Sequence, residues 1–171
     1  MKTAGILVIL FSGAGIGMSK SRELTRQVKI LEALLQLLMF LKGEIRCTGA
    51  ALEDAFGDSA LKMTGEYRSF MQAVAQMLKE RPGIPFGEIF RQCAKSELPL
   101  EVLDGEDRGR FLTLGEKLGY LDRNMQVAQL TLLEEELTNR VGSLRKTMPE
   151  KQKVYKSLGI LGGILLAVLF W

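Results

Sequence analysis

The sequence predicts an all-α membrane protein: an antiparallel bundle of about six helices flanked by an N-terminal and a C-terminal transmembrane helix. Three observations predict it. An uncharged apolar segment stands at each end of the chain. Between them apolar residues recur at three- and four-residue steps, the period of a helix with one face buried. Strand signals are missing, since no stretch keeps up the strict alternation that a half-buried strand needs.

The first end, residues 3–18, runs from Thr3 to Met18 without a charge, and the last, residues 157–171, runs from Ser157 to Trp171 likewise. At about 1.5 Å of rise per residue each makes roughly 23 Å of helix, short of the ~30 Å hydrocarbon core. Flanking Lys and Arg that snorkel, and local thinning of the bilayer, make up the difference. A cleaved signal peptide is the rival reading of the first segment, with Lys2, the apolar run Ile6 to Phe11 and the small residues Ser12-Gly13-Ala14. Orientation follows from Lys20, Arg22, Arg26 and Lys29 after the first segment and Arg140, Arg145, Lys146, Lys151, Lys153 and Lys156 before the last. The positive-inside rule then puts the central domain, residues 20–156, in the cytoplasm and both termini on the opposite side. Gly13 and Gly17, and Gly159 and Gly163, each place two glycines on one helix face, the spacing that lets membrane helices pack closely. Glycine is also simply frequent in such helices.

Within the central domain a first helix from Ser21 carries Leu24, Val28, Leu31, Leu35, Leu38 and Ile45. A short helix over 50–60 turns Leu52 and Phe56 inward, and one over 64–80 carries Tyr67, Phe70, Met71, Val74 and Leu78 on one stripe. The loop Pro82-Gly83-Ile84-Pro85 breaks the chain before a fourth helix with Phe86, Ile89, Phe90 and Cys93. A fifth covers 105–118 around Phe111, Leu112 and Leu114, and the last carries Leu130, Leu133, Leu137, Val141, Leu144 and Met148, with a kink expected at Pro149 and the helix running on through Lys156 into the last segment. Glu136 and Arg140 are spaced for an i, i+4 pair, and Glu134 to Glu136 read as a solvated face.

Chemistry is hard to find in this composition. Histidine is absent, which removes the commonest general base and metal ligand. Cys47 and Cys93 lack metal or redox spacing and read as small buried apolar residues. No phosphate-cradling loop and no paired carboxylates of metal-ligand spacing occur, so no enzyme, cofactor or metal is expected. A hydrolase would need a site that these residues do not form. A net charge of only +3 argues against nucleic acid as a partner.

One stretch stands out, Leu114-Gly115-Glu116-Lys117-Leu118-Gly119-Tyr120-Leu121-Asp122 with Gln126 after it. It resembles the Gly-Glu-x-x-Gly-x-Leu element of the inner-membrane platform (F-type) proteins of type II secretion and type IV pili. Gly83 to Phe90 is similar to the turn preceding it there. In physical terms the glycines would let a helix end and restart tightly, leaving Glu116 and Asp122 near the start of the second helix, where its dipole favours them.

Over its whole length the chain more closely resembles the stage III sporulation protein AB family of endospore formers. The features are the short first span, the basic segment after it, Leu118-Gly119-x-Leu121-Asp122 with Gln126, and Lys153-x-Tyr155-x-Ser157-Leu158-Gly159-x-Leu161-Gly162-Gly163. With one bundle domain rather than two, it departs from the larger platform proteins. The resemblance implies a non-enzymatic membrane platform in the channel-like, secretion-like complex between mother cell and forespore. Its expected partners are the stage III sporulation AA-type ATPase, other membrane subunits of that complex and the lipid bilayer. Glu116, Gly119 and Asp122 are then the candidate contact or turn residues. A membrane-anchored sensor or chaperone-like scaffold is the alternative from another class.

Overall fold

The computed structural model describes the backbone of residues 2–49 and 51–169, and side chains chiefly between residues 22 and 150. Among these residues the chain forms six α-helices and no strand. They are α1 (Lys2–Thr48), α2 (Leu52–Ala60), α3 (Gly65–Glu80), α4 (Phe86–Glu97), α5 (Gly105–Leu118) and α6 (Arg123–Leu169). A 3-10 turn, Leu100–Val102, which the sequence reading did not anticipate, links α4 to α5. The six helices include the terminal segments: α1 begins at Lys2 and α6 continues past Pro149 to Leu169. Two compact units emerge, Ile30–Arg140, and Met1–Lys29 with Val141–Trp171.

The unit Ile30–Arg140 is built on a helical period that the sequence shows plainly. Leu31, Leu34, Leu37, Leu38, Leu41 and Ile45 of α1 are fully buried, a face wider than the single stripe expected there. Leu130 and Leu137 of α6 are buried as completely. α1 and α6 run antiparallel in this unit, with Lys42 ion-paired to Glu134 and the Arg123 guanidinium over Gly49. Gly49 has φ of +66°, in the left-handed region, and a side chain there would also strike Arg123. Glu134 is thus no solvated residue: its carboxylate is drawn in against α1, and Oε1 has no hydrogen-bond partner among the described residues.

Rings fill the space between the shorter helices. Phe56 of α2, Phe70 of α3, Phe86 and Phe90 of α4 and Phe111 of α5 are all buried. Phe70 and Phe90 meet edge to face at 5.3 Å between centroids and Phe56 and Phe70 at 6.2 Å, the geometry that ring quadrupoles favour. Burying each ring contributes about 1.5–3 kcal/mol. Cys93 is buried beside Met77, its Sγ 3.4 Å from Sδ, whereas Cys47 is exposed, contrary to the expectation that both are buried.

The expected Glu136–Arg140 pair does not form. Asp104 caps α5, accepting a hydrogen bond from the Asp107 amide at 2.8 Å, and Arg140 reaches both carboxylates, at 2.9 Å from Nε to Asp107 Oδ2. Asp107 is only 2 % exposed, so it requires a cation and takes the one on the facing turn of α6. Glu136 lies instead 3.8 Å from Arg110.

In the other unit Val28, Val141 and Leu144 are buried, and Thr147 bonds back to the Ser143 carbonyl at 3.1 Å. Among the described residues no helix is long and apolar enough to cross a membrane. The side chains of nearly all of residues 3–18 and 157–171, and so the packing expected at Gly13, Gly17, Gly159 and Gly163, lie outside the described residues.

Candidate functional site at the turn before the last helix

The stretch that stands out in the sequence spans the end of α5, a short turn and the start of α6. α4 runs antiparallel to α5 and close to it, because three glycines leave the seam open. A Cβ on Gly87 would come within 2.9 Å of Glu116 Cα, one on Gly115 within 2.2 Å of the Phe90 ring, and one on Gly119 within 2.9 Å of Phe86 Cβ. Gly115 and Gly119 therefore form a small-residue groove into which Phe90 and Phe86 fit, ridge into groove. This corrects the expected role of the glycines. Gly119, at φ of −70°, has an ordinary right-handed conformation, and it is close packing that excludes a side chain. The left-handed turn belongs to Gly83 upstream, at φ of +105°.

Asp122 and Glu116 also part company. Asp122 does stand at the start of α6, where its Oδ1 accepts from the Met125 amide at 3.0 Å, an N-cap. Glu116 lies in the last turn of α5, where the dipole is unfavourable to a carboxylate, and is ion-paired with Arg91 of α4. Gln126 completes the corner: its Nε2 donates to the Leu118 carbonyl at 2.9 Å, satisfying an oxygen that the end of α5 leaves without a helical partner. Gln126 thereby ties the two helix ends together and Asp122 caps the second, while Glu116 and Gly119 belong to the α4–α5 seam.

On this frame three large apolar side chains face outward, beside the exposed Lys117, Asp122, Arg123 and Asn124. Tyr120 is 79 % exposed, Met125 51 % and Leu132 48 %. Met125 and Leu132 sit seven residues apart on α6, off the phase of the buried Leu130, Leu133 and Leu137. Beside them a shallow groove between α5 and α6 of about 240 Å³ is lined by Arg110, Lys117, Gln129 and Leu132 among others. Lys117 donates to Gln129 across it at 3.2 Å. Sequence reasoning missed Tyr120, Met125 and Leu132; the signal was there, in apolar residues out of step with the core stripe.

Burial pushes Cys93 up, assisted by Glu97, so its thiol is held protonated, away from the corner. Burial also raises Asp107, while the Asp107 amide and Arg140 outweigh burial at Asp104 and hold it below the usual carboxylate range. Those groups form a helix cap and its counter-ion. Among the described residues no cluster of three or more Cys, Asp or Glu is placed to hold a metal ion.

A family model described as stage III sporulation protein AB (spore_III_AB) matches residues 2–171. No curated protein matches this chain, and no solved structure does either.

Proposed function

The chain belongs to the stage III sporulation protein AB family, and from that premise we propose that it is a non-enzymatic platform in the membrane of the mother cell. Residues 3–18 and 157–171 cross the bilayer, the domain between them is cytoplasmic, and both termini lie on the opposite side. That domain docks the AA-type ATPase of sporulation, and the membrane helices meet other subunits of a secretion-like complex joining mother cell and forespore.

One observation carries the docking part. The α5–α6 corner is rigid inside, through the Gly87–Gly115–Gly119 seam and the Asp122 and Gln126 bonds, and presents the large apolar side chains Tyr120, Met125 and Leu132 outside. A fixed frame that presents exposed aromatic and aliphatic side chains loses little conformational freedom on binding, which is how contact surfaces gain affinity. The membrane part is supported by the charge-free ends and the basic residues beside them.

Co-purification of the full-length chain in detergent with the AA-type ATPase tests the docking. The native chain should retain the ATPase, and the Tyr120→Ala, Leu132→Ser double variant should release it while melting at an unchanged temperature. Undiminished retention by that variant sinks the corner as the docking surface.

A further inference from the structure

Arg22, Arg26 and Lys29 follow the first apolar stretch on the same helix, α1. With about 100° between successive residues they fall within an arc of about 60° on one face. All three are exposed, and with Thr25 they line an open cleft of about 330 Å³. Glu23 and Glu32, the carboxylates nearest in sequence, lie off that arc on α1, and neither is free of interactions of its own.

We infer that Arg22, Arg26 and Lys29 form a clamp for the phosphate groups of anionic phospholipids. The inference rests on the membrane reading of residues 3–18. If Met18 marks the edge of the hydrocarbon, Arg22 stands about 6 Å beyond it and Arg26 about 12 Å, at a rise of about 1.5 Å per residue. The headgroup layer is about 5–7 Å deep on each side. Helix polarity closes the gap. Side chains of an α-helix lean toward its N-terminus, and in α1 the N-terminus is the membrane end. Arg22 and Arg26 therefore lean back onto the headgroups, where guanidinium forks match phosphate oxygens in pairs. Lys29, about 10 Å along the helix from Arg22, adds charge within a Debye length of Arg26.

α6 approaches the bilayer with the opposite polarity. Its apolar stretch is C-terminal, so Lys146 and Lys153 lean away from the membrane. The same positive charge on α6 is accordingly worth less to a lipid headgroup than on α1, and it provides a control.

The test reconstitutes the full chain into phosphatidylcholine bilayers carrying spin-labelled phosphatidylglycerol or spin-labelled phosphatidylcholine, and measures how much of each is immobilised. Phosphatidylglycerol should be preferred, by about fivefold for each cation that reaches the layer, and the preference should shrink at high salt. The R22Q/R26Q/K29Q variant should lose it, while K146Q/K153Q keeps it. A triple variant that retains the preference, or a native chain that resists alkaline extraction yet shows none, overturns the clamp and leaves the membrane reading standing. Loss of the preference in inorganic phosphate but not in chloride of equal ionic strength would assign the cations to free phosphate and overturn it too. A chain extracted by alkaline carbonate overturns both readings together.

Discussion

Gly115 has no room for a methyl group, because a Cβ there would lie 2.2 Å from Cδ1 of Phe90. Overpacking of that kind costs about 1–3 kcal/mol, so Gly115→Ala should lower the melting temperature of the purified chain. Phe90→Ala, which removes Cγ and Cδ1, should lessen the added loss when combined with it, and full additivity of the two changes would show that the contact does not govern the site. Asp104 supports a second prediction, one of pH. Its carboxyl is depressed on folding, burial being outweighed by the Asp107 amide and Arg140. The stability it contributes is thus present above the ordinary carboxylate range and is lost as pH falls through its lowered value. Asp107, raised by burial, acts with the opposite sign, since charging it opposes folding as pH rises. Asp104→Asn should therefore melt below the native chain at neutral pH, and the gap should close on acidification. A gap that widened toward low pH would contradict the assignment.

At the scale of the element, the corner between α5 and α6 depends on two polar side chains. Removing the N-cap by Asp122→Ala should cost about 1 kcal/mol. Gln126→Ala should cost a similar amount by leaving the Leu118 carbonyl without its donor, about 1 kcal/mol again. Chemical unfolding of the two variants checks both figures. Much of this element was legible in sequence: α4 and α5 begin and end where Pro85, Pro99, Gly105 and Gly119 suggest, and Asp122 stands near the start of the next helix as expected, though its role as a cap was not foreseen. The partner of Arg140 was not, because local spacing offers Glu136 while the carboxylates that hold Arg140 belong to a different helix. The continuity of α1 was hidden as well. The step from uncharged to basic residues at Ser19-Lys20-Ser21 looks like a boundary, yet no Gly or Pro there stops a helix. Pro149 forfeits one backbone hydrogen bond, and α6 nevertheless continues through it.

For the whole molecule the two cysteines report on sidedness. Cys47 is exposed and Cys93 is buried with its thiol pushed up by burial, so the pair is more informative than two buried thiols would be. A membrane-impermeant maleimide should leave intact cells unlabelled at both positions. After permeabilisation it should modify Cys47 at once and Cys93 only on unfolding. Labelling of Cys47 in intact cells would reverse the orientation derived from the basic residues. The family and the helical class could be read from the sequence because both follow from long patterns, whereas the proposed docking face consists of three side chains that only their phase against the core stripe sets apart. The tight seam between α4 and α5 also governs how such a chain can diverge. A descendant that gains bulk at position 115 must shed it at position 90, whereas at 119 a side chain would meet the Cβ of Phe86 itself, and the exposed Tyr120, Met125 and Leu132 carry no such constraint. The ancestry of this protein is therefore written in paired small and large residues that face inward. Its allegiances, by contrast, are written on an outer surface that each lineage can revise without disturbing the fold.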